Sequence, residues 1–220
     1  MRRPQPRTTI ALALVALALA LPVPGLWVYQ GPPMEEGFML AFPQRILAGD
    51  LPHVDFLHLY GPGSLHLLAG IYKVFGTTVG VERTVGLAYN VAIVVALMLL
   101  ARRWGRVTAA VAGIVGVLVV FTPIGLTALA WHGAIALALW SLVVAIHGYE
   151  HAGDAADAGE RADGERPGRL ARHAPWLAAL LAGLALSFRP DLVLAIVAAH
   201  GVCWWLAGKP RARWWVAAAG

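Results

Sequence analysis

Charged residues are scarce in this chain, since only 13% of its 220 residues are Asp, Glu, Lys or Arg. Soluble domains carry about 25% charged residues, so this deficit excludes an ordinary soluble enzyme and a highly charged disordered chain. Cysteine is rarer still: Cys203 is the single one, which excludes a secreted domain held by intramolecular disulfides. Apolar residues, by contrast, make up 59% of the chain, a composition suited to lipid-facing surface.

The basic residues support the same class of protein. A formal net charge of +5 would suit nucleic acid, but the charges lie in clusters between apolar stretches, so we expect no nucleic-acid partner. A cytoplasmic N-terminus places thirteen Lys and Arg residues inside and only four outside, as the positive-inside rule requires. The four outside are Arg45, Lys73, Arg83 and Arg189. The pattern therefore predicts a multi-pass protein of the cell membrane with its N-terminus in the cytoplasm.

The apolar runs predict an all-α, polytopic transmembrane helix bundle that occupies the whole chain, 1–220, as one membrane domain. The predicted spans are 8–29, 83–100, 107–121, 127–146, 174–188 and 192–207. The polar stretch 147–173 is expected to form a flexible cytoplasmic loop. A seventh apolar run begins at Trp214 and stops at Gly220, so we expect the chain to be the N-terminal part of a longer protein.

The first run has two interpretations. Ala18-Leu19-Ala20 resembles a signal-peptide cleavage site, but apolar character continues to Tyr29, which favours an uncleaved anchor. In either case residues 30–82 form an extracytoplasmic loop. Two apolar pieces in this loop, 38–47 and 63–75, are too short to span a bilayer, and we predict that both are juxtamembrane helices.

Three acids in the loop are candidate catalytic residues. Glu35 and Glu36 are adjacent carboxylates beside a low-dielectric membrane, an arrangement that favours a raised proton affinity and a general base. The alternative is a solvated loop pair. Asp55 lies among Phe56, Leu57 and Tyr60, and is either a third functional acid or a residue that caps a turn.

Two arginines at the outer ends of spans, Arg83 and Arg189, are candidate ligands for a lipid phosphate, because guanidinium binds phosphate bidentately. Each also has a local acid as an alternative partner, Glu82 or Asp191. The loop histidines His53, His58 and His66 lack the helical spacing of metal ligands. A divalent metal is therefore unsupported, and we predict no cofactor.

The order of these features resembles a known superfamily. The segments that carry the likeness are Glu35-Glu36-Gly37, then 45–56 (RILAGDLPHVDF), Tyr60-Gly61-Pro62, Lys73-Val74-Phe75-Gly76, and Arg83 before Arg102-Arg103. They are similar to the start of the polyprenyl-phosphate-sugar-dependent glycosyltransferases of the GT-C superfamily, including the protein O-mannosyltransferase and aminoarabinose-transferase-like families. The likeness covers about residues 1–106, and the later spans more loosely.

The resemblance implies inverting transfer of a sugar from a polyprenyl-phosphate donor to an acceptor glycan, lipid or protein outside the cytoplasm. Glu35 stands where the family usually has aspartate, Glu36 matches the usual glutamate, and Asp55 matches a later loop acid. His58 and Tyr60 join the two arginines as candidate substrate-binding residues. Gly61 departs from the proline or basic residue of many relatives, which leaves the contacts at that position undefined.

Two rival interpretations remain. A non-catalytic membrane protein, such as a transporter or an assembly subunit, would carry ionisable residues buried in its spans. The predicted spans have few of these, His200 being the clearest. An inactive fragment of the enzyme is the other possibility, because further spans would be needed to complete the site.

Overall fold

The structure, a computed structural model, describes residues 6–29, 33–121, 125–158 and 169–206. These residues form α-helices joined by turns, and they contain no β-strand beyond one isolated bridge between Pro52 and Phe56. The helices are α1 (Pro6–Ala20), α2 (Val23–Val28), α3 (Pro33–Leu47), α4 (Gly63–Phe75), α5 (Val79–Ala101), α6 (Arg106–Phe121), α7 (Ala130–Ala158), α8 (Arg169–Phe188) and α9 (Val193–Leu206). The protein is therefore all-helical over its described length.

Two segments are long and apolar enough to cross a membrane, Val79–Trp104 and Ala130–Glu150. A third is added if the bent pair Ala13–Val28 and Pro33–Leu47, whose axes meet at 81°, is counted as one span. Three apolar helical segments are shorter: Arg106–Phe121, which is α6, His173–Phe188 within α8, and Pro190–Leu206, which includes α9. At about 1.5 Å per residue, the 16 residues of α6 extend about 24 Å, less than the roughly 30 Å of a bilayer core.

Prolines and glycines mark the breaks between helices, and of the breaks near Pro22, Gly105 and Pro190 only the first divides a predicted span. The single predicted run 8–29 divides into α1 and α2 around Leu21 and Pro22, because proline lacks an amide hydrogen and its ring clashes with the preceding turn. Gly105, with a φ of 109°, separates the turn Arg102–Trp104 from α6. Pro190 begins the turn Pro190–Leu192 between α8 and α9.

The predicted loop 147–173 is the largest difference. Helix α7 continues through Ala158 and α8 begins at Arg169, so both ends of this stretch are helical. Its alanines have the highest intrinsic helix propensity, which outweighs the polar composition on which the loop prediction was based. The middle of that stretch, and the apolar run that begins at Trp214, lie outside the described residues.

The helices pack around three apolar clusters, the third of which joins α7 to α8 through Ala145, Tyr149 and Ala178. The first joins α1, α5, α6 and α7 through Val15, Val94, Val117 and Ala136. The second joins α3 and α4 to α5 and to the residues before α7, with Leu65 and Leu68 fully buried. The Tyr72 hydroxyl donates to the carbonyl oxygen of Met39 at 3.0 Å, which ties α4 to α3. Both short helices of the first loop are thus fastened to one end of the bundle.

The two ends of the bundle differ in the residues and turns that lie there. The start of α5, residues 125–129 and residues 187–191 lie at one end, here called the loop end. The turn Arg102–Trp104, the start of α6 and Glu150 of α7 lie at the other, here called the basic end. This division matters for function, because every predicted site residue belongs to the loop end or to the segments packed on it.

Candidate functional site

Glu36 and Arg83 form a buried ion pair at the loop end. Arg83 donates from Nε to Oε1 of Glu36 at 2.6 Å and from Nη2 to Oε2 at 3.1 Å, a bidentate geometry. The two side chains are each only 10% exposed. Nη1 of Arg83 also donates to the carbonyl oxygen of Trp27, so this guanidinium joins α5 to both α2 and α3. Arg83 is therefore already occupied by protein acceptors.

Glu82 is a second buried carboxylate, next to Arg83 in the first turn of α5. Its Oε1 accepts a hydrogen bond from the backbone amide of Ala128 at 2.6 Å, whereas Oε2 is buried with no hydrogen-bond partner among the described residues. From the sequence, Glu82 is expected only as an alternative partner for Arg83. The sequence does contain a signal for a functional role of Glu82, because it is an ionisable residue at the start of an apolar span. Such residues are costly to bury in a membrane and are usually functional.

Glu35 has surroundings different from those of its neighbour. It lies in the first turn of α3, which begins at Pro33, so both glutamates are near the positive end of the helix dipole. Its side chain is half-buried, and no hydrogen bond or ion pair joins it to any residue that the structure describes. Of the predicted acidic pair, Glu36 is anchored and Glu35 is open to a ligand.

Asp55 closes a turn. Its Oδ2 accepts a hydrogen bond from the backbone amide of Leu51 at 2.7 Å, and the residue is exposed. Arg45 holds the same loop: Nε donates to Asp50 at 2.7 Å, Nη2 donates to the carbonyl oxygen of Asp55 at 3.1 Å, and the guanidinium lies 4.6 Å from the ring of Phe56. This arrangement matches the capping alternative considered for Asp55.

His58 lies in an aromatic cluster with Phe42, His53 and Tyr60, its ring centroid being 5.7, 6.1 and 5.7 Å from theirs. Burial, assisted by the neighbouring His53, lowers the pKa of His58 from 6.5 to about 4. Its imidazole is consequently neutral near pH 7, and Nε2 is buried without a partner. Phe42 belongs to α3, so this cluster and the acidic pair are held by one helix.

Arg189 reaches the same cluster from the end of α8. Its guanidinium lies 4.9 Å from the ring of Tyr60 and makes two hydrogen bonds to Asp191, at 2.7 and 2.5 Å. The amide of Gly61 donates to the carbonyl oxygen of Phe188 at 2.9 Å. A Cβ on Gly61 would lie 2.2 Å from the carbonyl oxygen of Ser187, so a larger residue at this position does not fit the packing. Glycine at position 61 is thus explained by close contact with α8.

The predicted site residues form two groups. Glu35, Glu36 and Arg83 lie at the start of α3 and α5, whereas His58, Tyr60 and Arg189 lie where the first loop meets α8. Asp55 belongs to the turn beside the second group. Within the described ranges, no set of three or more His, Cys, Asp or Glu side chains is arranged to hold a metal ion.

Comparisons of the chain with protein-family models, with curated proteins and with solved structures gave no match.

Chemically, the loop end offers three groups. They are an unpaired carboxylate beside a buried ion pair, a neutral histidine among aromatic rings, and a partly exposed arginine stacked on tyrosine. A carboxylate can accept a proton, aromatic faces suit sugar rings, and a guanidinium suits phosphate.

Proposed function

We propose that this protein is a membrane glycosyltransferase of the GT-C type, which moves a sugar from a polyprenyl-phosphate donor to an acceptor hydroxyl. The observation that carries this proposal is the acidic pair at the start of α3, in which Arg83 holds Glu36 while Glu35 has no hydrogen bond or ion pair to any described residue. The resemblance of residues 1–106 to that superfamily supplies the reaction class.

In the proposed reaction, Glu35 is the general base. Its carboxylate accepts the proton of the acceptor hydroxyl as the hydroxyl oxygen forms a bond to the anomeric carbon. The bond from that carbon to the phosphate oxygen breaks on the opposite face, and the lipid phosphate leaves with the electron pair. Attack from the opposite face inverts the configuration, and the base contributes about 10²- to 10⁴-fold to the rate.

Glu36 and Arg83 are positioning residues in this proposal. Their ion pair fixes the first turn of α3 against α5. Because three of the five N–H groups of Arg83 already bind protein acceptors and its side chain is only 10% exposed, we assign the lipid phosphate to Arg189 instead. Arg189 is 24% exposed and shares its charge with the largely exposed Asp191. Tyr60 and His58 provide the neighbouring aromatic and imidazole surface for the sugar.

The donor's location suits this site. A polyprenyl chain stays in the bilayer while its phosphate and sugar lie at the headgroup level. The short helices α3 and α4, packed against the loop end, would contact them there. With an N-terminus in the cytoplasm, the loop end faces the extracytoplasmic side and the acceptor approaches from water.

The proposal is tested by sugar transfer from polyprenyl-phosphate donors by the full-length protein in membranes. We expect Glu35→Gln to lower kcat by about 10²- to 10⁴-fold while leaving the amount of folded protein unchanged. Asp55→Asn is the matched control, since it alters a loop carboxylate that binds only a backbone amide. Unchanged turnover after Glu35→Gln and Glu36→Gln together would remove the proposal.

A second candidate function, a transporter, is favoured by one observation. Four polar atoms at the loop end of α5 and α7 are buried without a hydrogen-bond partner among the described residues: Oε2 of Glu82, the hydroxyl of Tyr89, Oδ1 of Asn90 and Nδ1 of His132. Ionisable groups buried in spans often line an ion or proton path. His200 does not add to this argument, because its Nε2 lies 2.9 Å from the Ser141 hydroxyl and joins α9 to α7. Ion or proton uptake by proteoliposomes that contain the protein but no sugar donor would support the transporter and oppose the enzyme.

A further inference from the structure

A cavity of about 390 Å³ lies at the basic end, between the last turn of α5 and the middle of α7, residues 140–150. It is separate from the loop end and from the residues of the proposed reaction. Both candidate spans end beside it, at Trp104 and at Glu150, so it lies at the depth where a bilayer core meets its headgroups. Its volume is in the range of about 300–1,000 Å³ that small-molecule sites occupy.

The cavity has an apolar wall. On α7, Trp140, Val143, Val144 and His147 follow a spacing of three and four residues and therefore lie on one helix face. Leu99 and Leu100 of α5 form the opposite side. The Trp140 indole is held in place because its Nε1 donates to the carbonyl oxygen of Ala92 on α5 at 3.1 Å.

The mouth of the cavity carries a net positive charge, because Arg102, Arg103 and one carboxylate, that of Glu150, line it. Arg103 makes a long, exposed contact of 3.3 Å with Glu150, and the side chain of Arg102 has no hydrogen bond or ion pair with the described part of the chain. Arg103 also stacks near the ring of Trp104, which is 71% exposed, as aromatic residues at a membrane boundary commonly are.

We infer that this cavity binds an anionic phospholipid, with the headgroup phosphate on Arg102 and Arg103 and the start of an acyl chain against Trp140 and Val144. An apolar cavity with two arginines at the membrane boundary complements a molecule that is apolar at one end and anionic at the other. A soluble phosphate would use only the arginines and would leave the apolar wall in contact with water. The inference does not depend on the proposed glycosyl transfer.

The experiment is native mass spectrometry of the full-length protein, purified in detergent and incubated with equal amounts of phosphatidylglycerol and phosphatidylcholine. We expect retention of phosphatidylglycerol in preference to phosphatidylcholine. Arg102→Gln with Arg103→Gln should weaken that retention by about fivefold for each arginine removed. Arg106→Gln is the matched control, because it removes a charge at the same end from a residue that does not line the cavity.

A second variant tests the apolar wall without altering charge. Val144→Trp fills the cavity and should also reduce phosphatidylglycerol retention. Binding of glycerol 3-phosphate as strong as that of phosphatidylglycerol would overturn the inference in favour of a soluble anion. Equal retention of the two lipids, or equal losses from Arg106→Gln and the double variant, would overturn it as well.

Discussion

Arg83 places one positive charge beside two buried carboxylates, Glu36 and Glu82. A buried charge in low dielectric is tolerated only where partners compensate it, so removal of the arginine should leave carboxylates that cannot be solvated. The same residue holds α2 through the carbonyl oxygen of Trp27. Its structural contribution is therefore large, whatever the protein does.

We expect Arg83→Met to destabilise the protein by about 3–5 kcal/mol, the usual cost of breaking a buried pair. Arg103→Met is the comparison, because its ion pair with Glu150 is exposed, and its loss should cost at most about 1 kcal/mol. Thermal unfolding of both variants in lipid-free detergent measures the difference. Equal midpoints for the two variants would contradict the role assigned to the Glu36–Arg83 pair.

His58 gives the first loop a pH-dependent stability. Its pKa is about 4 in the folded protein and near 6.5 when the chain is unfolded, so protonation favours the unfolded state. The stability that the neutral imidazole contributes is complete above about pH 6.5 and is lost as the pH falls towards 4. The limiting slope for one proton is about 1.4 kcal/mol per pH unit.

The check is a series of unfolding midpoints between pH 7 and pH 4. His58→Phe should flatten the fall seen in the native sequence, since phenylalanine keeps the aromatic contacts and cannot be protonated. His66→Phe, at an exposed position of α4, should leave the fall in place. An unchanged slope in His58→Phe would mean that other groups cause the acid lability.

Sequence reasoning could identify these residues but not their pairing. The sequence predicts Glu36 as a base and Arg83 as a phosphate ligand, but the two residues are 47 positions apart and no periodic signal indicates that they are in contact. The hydrogen bond from Leu51 to Asp55, by contrast, spans four residues, and a capping carboxylate was an alternative that the local sequence offered. Contacts within a turn can be read from a sequence, whereas contacts across the bundle cannot.

At the scale of the helices, the junction between α5 and the residues before α7 is the tightest in the loop end. A Cβ on Gly86 would lie 1.8 Å from the carbonyl oxygen of Leu126, and the Glu82 to Ala128 hydrogen bond lies one turn away. Asn90 donates from Nδ2 to the carbonyl oxygen of Gly125 at 3.1 Å, one turn further along α5. Three positions on one face of α5 thus define where residues 125–129 lie.

We expect Gly86→Ala to destabilise the protein by about 1–3 kcal/mol, because a backbone carbonyl cannot move aside without breaking these hydrogen bonds. Gly183→Ala is the control: it lies inside α8 with no atom within 4 Å of the added methyl group, so it should be neutral or stabilising by up to about 1 kcal/mol. Unfolding midpoints measure both. A Gly86→Ala protein as stable as the Gly183→Ala protein would show that the junction is looser than described.

Helix bounds follow the sequence where local chemistry is decisive. Thr78 accepts a hydrogen bond from the amide of Val81 at 3.2 Å and so caps the start of α5. The start of α3 at Pro33 was not anticipated, because hydrophobic spacing alone begins at Phe38. Proline is favourable in a first helical turn, and this rule would have moved the acidic pair from the loop onto a helix.

At the scale of the whole molecule, low charge and apolar runs predict a membrane protein, and the structure contains two or three helices able to cross a bilayer within the described ranges. Which end of the bundle faces the cytoplasm is predicted from the distribution of Lys and Arg, because contacts within the protein carry no information about the two sides of the membrane. The loop end and the basic end are therefore distinguished by geometry, whereas their assignment to the two sides of the membrane stays a prediction.

Cysteine labelling tests that assignment. In a Cys203→Ser background, Val54→Cys and Trp104→Cys place single thiols at positions that are 76% and 71% exposed, in the first loop and at the basic end. An impermeant maleimide added to intact cells should label the first, and should label the second only after permeabilisation. The reverse pattern would place Glu35 in the cytoplasm, away from an extracytoplasmic donor.

The bond between Glu82 and Ala128 has a consequence for biosynthesis. The two residues are 46 positions apart, so α5 leaves the ribosome before its amide partner has been synthesised. Transfer of an unpaired carboxylate into hydrocarbon is unfavourable. We therefore expect the N-terminal end of α5 to stay at the headgroup level until α6 and α7 have been synthesised. We therefore expect α5 to reach its final depth in the bilayer together with α6 and α7, in one cooperative insertion step of the three helices.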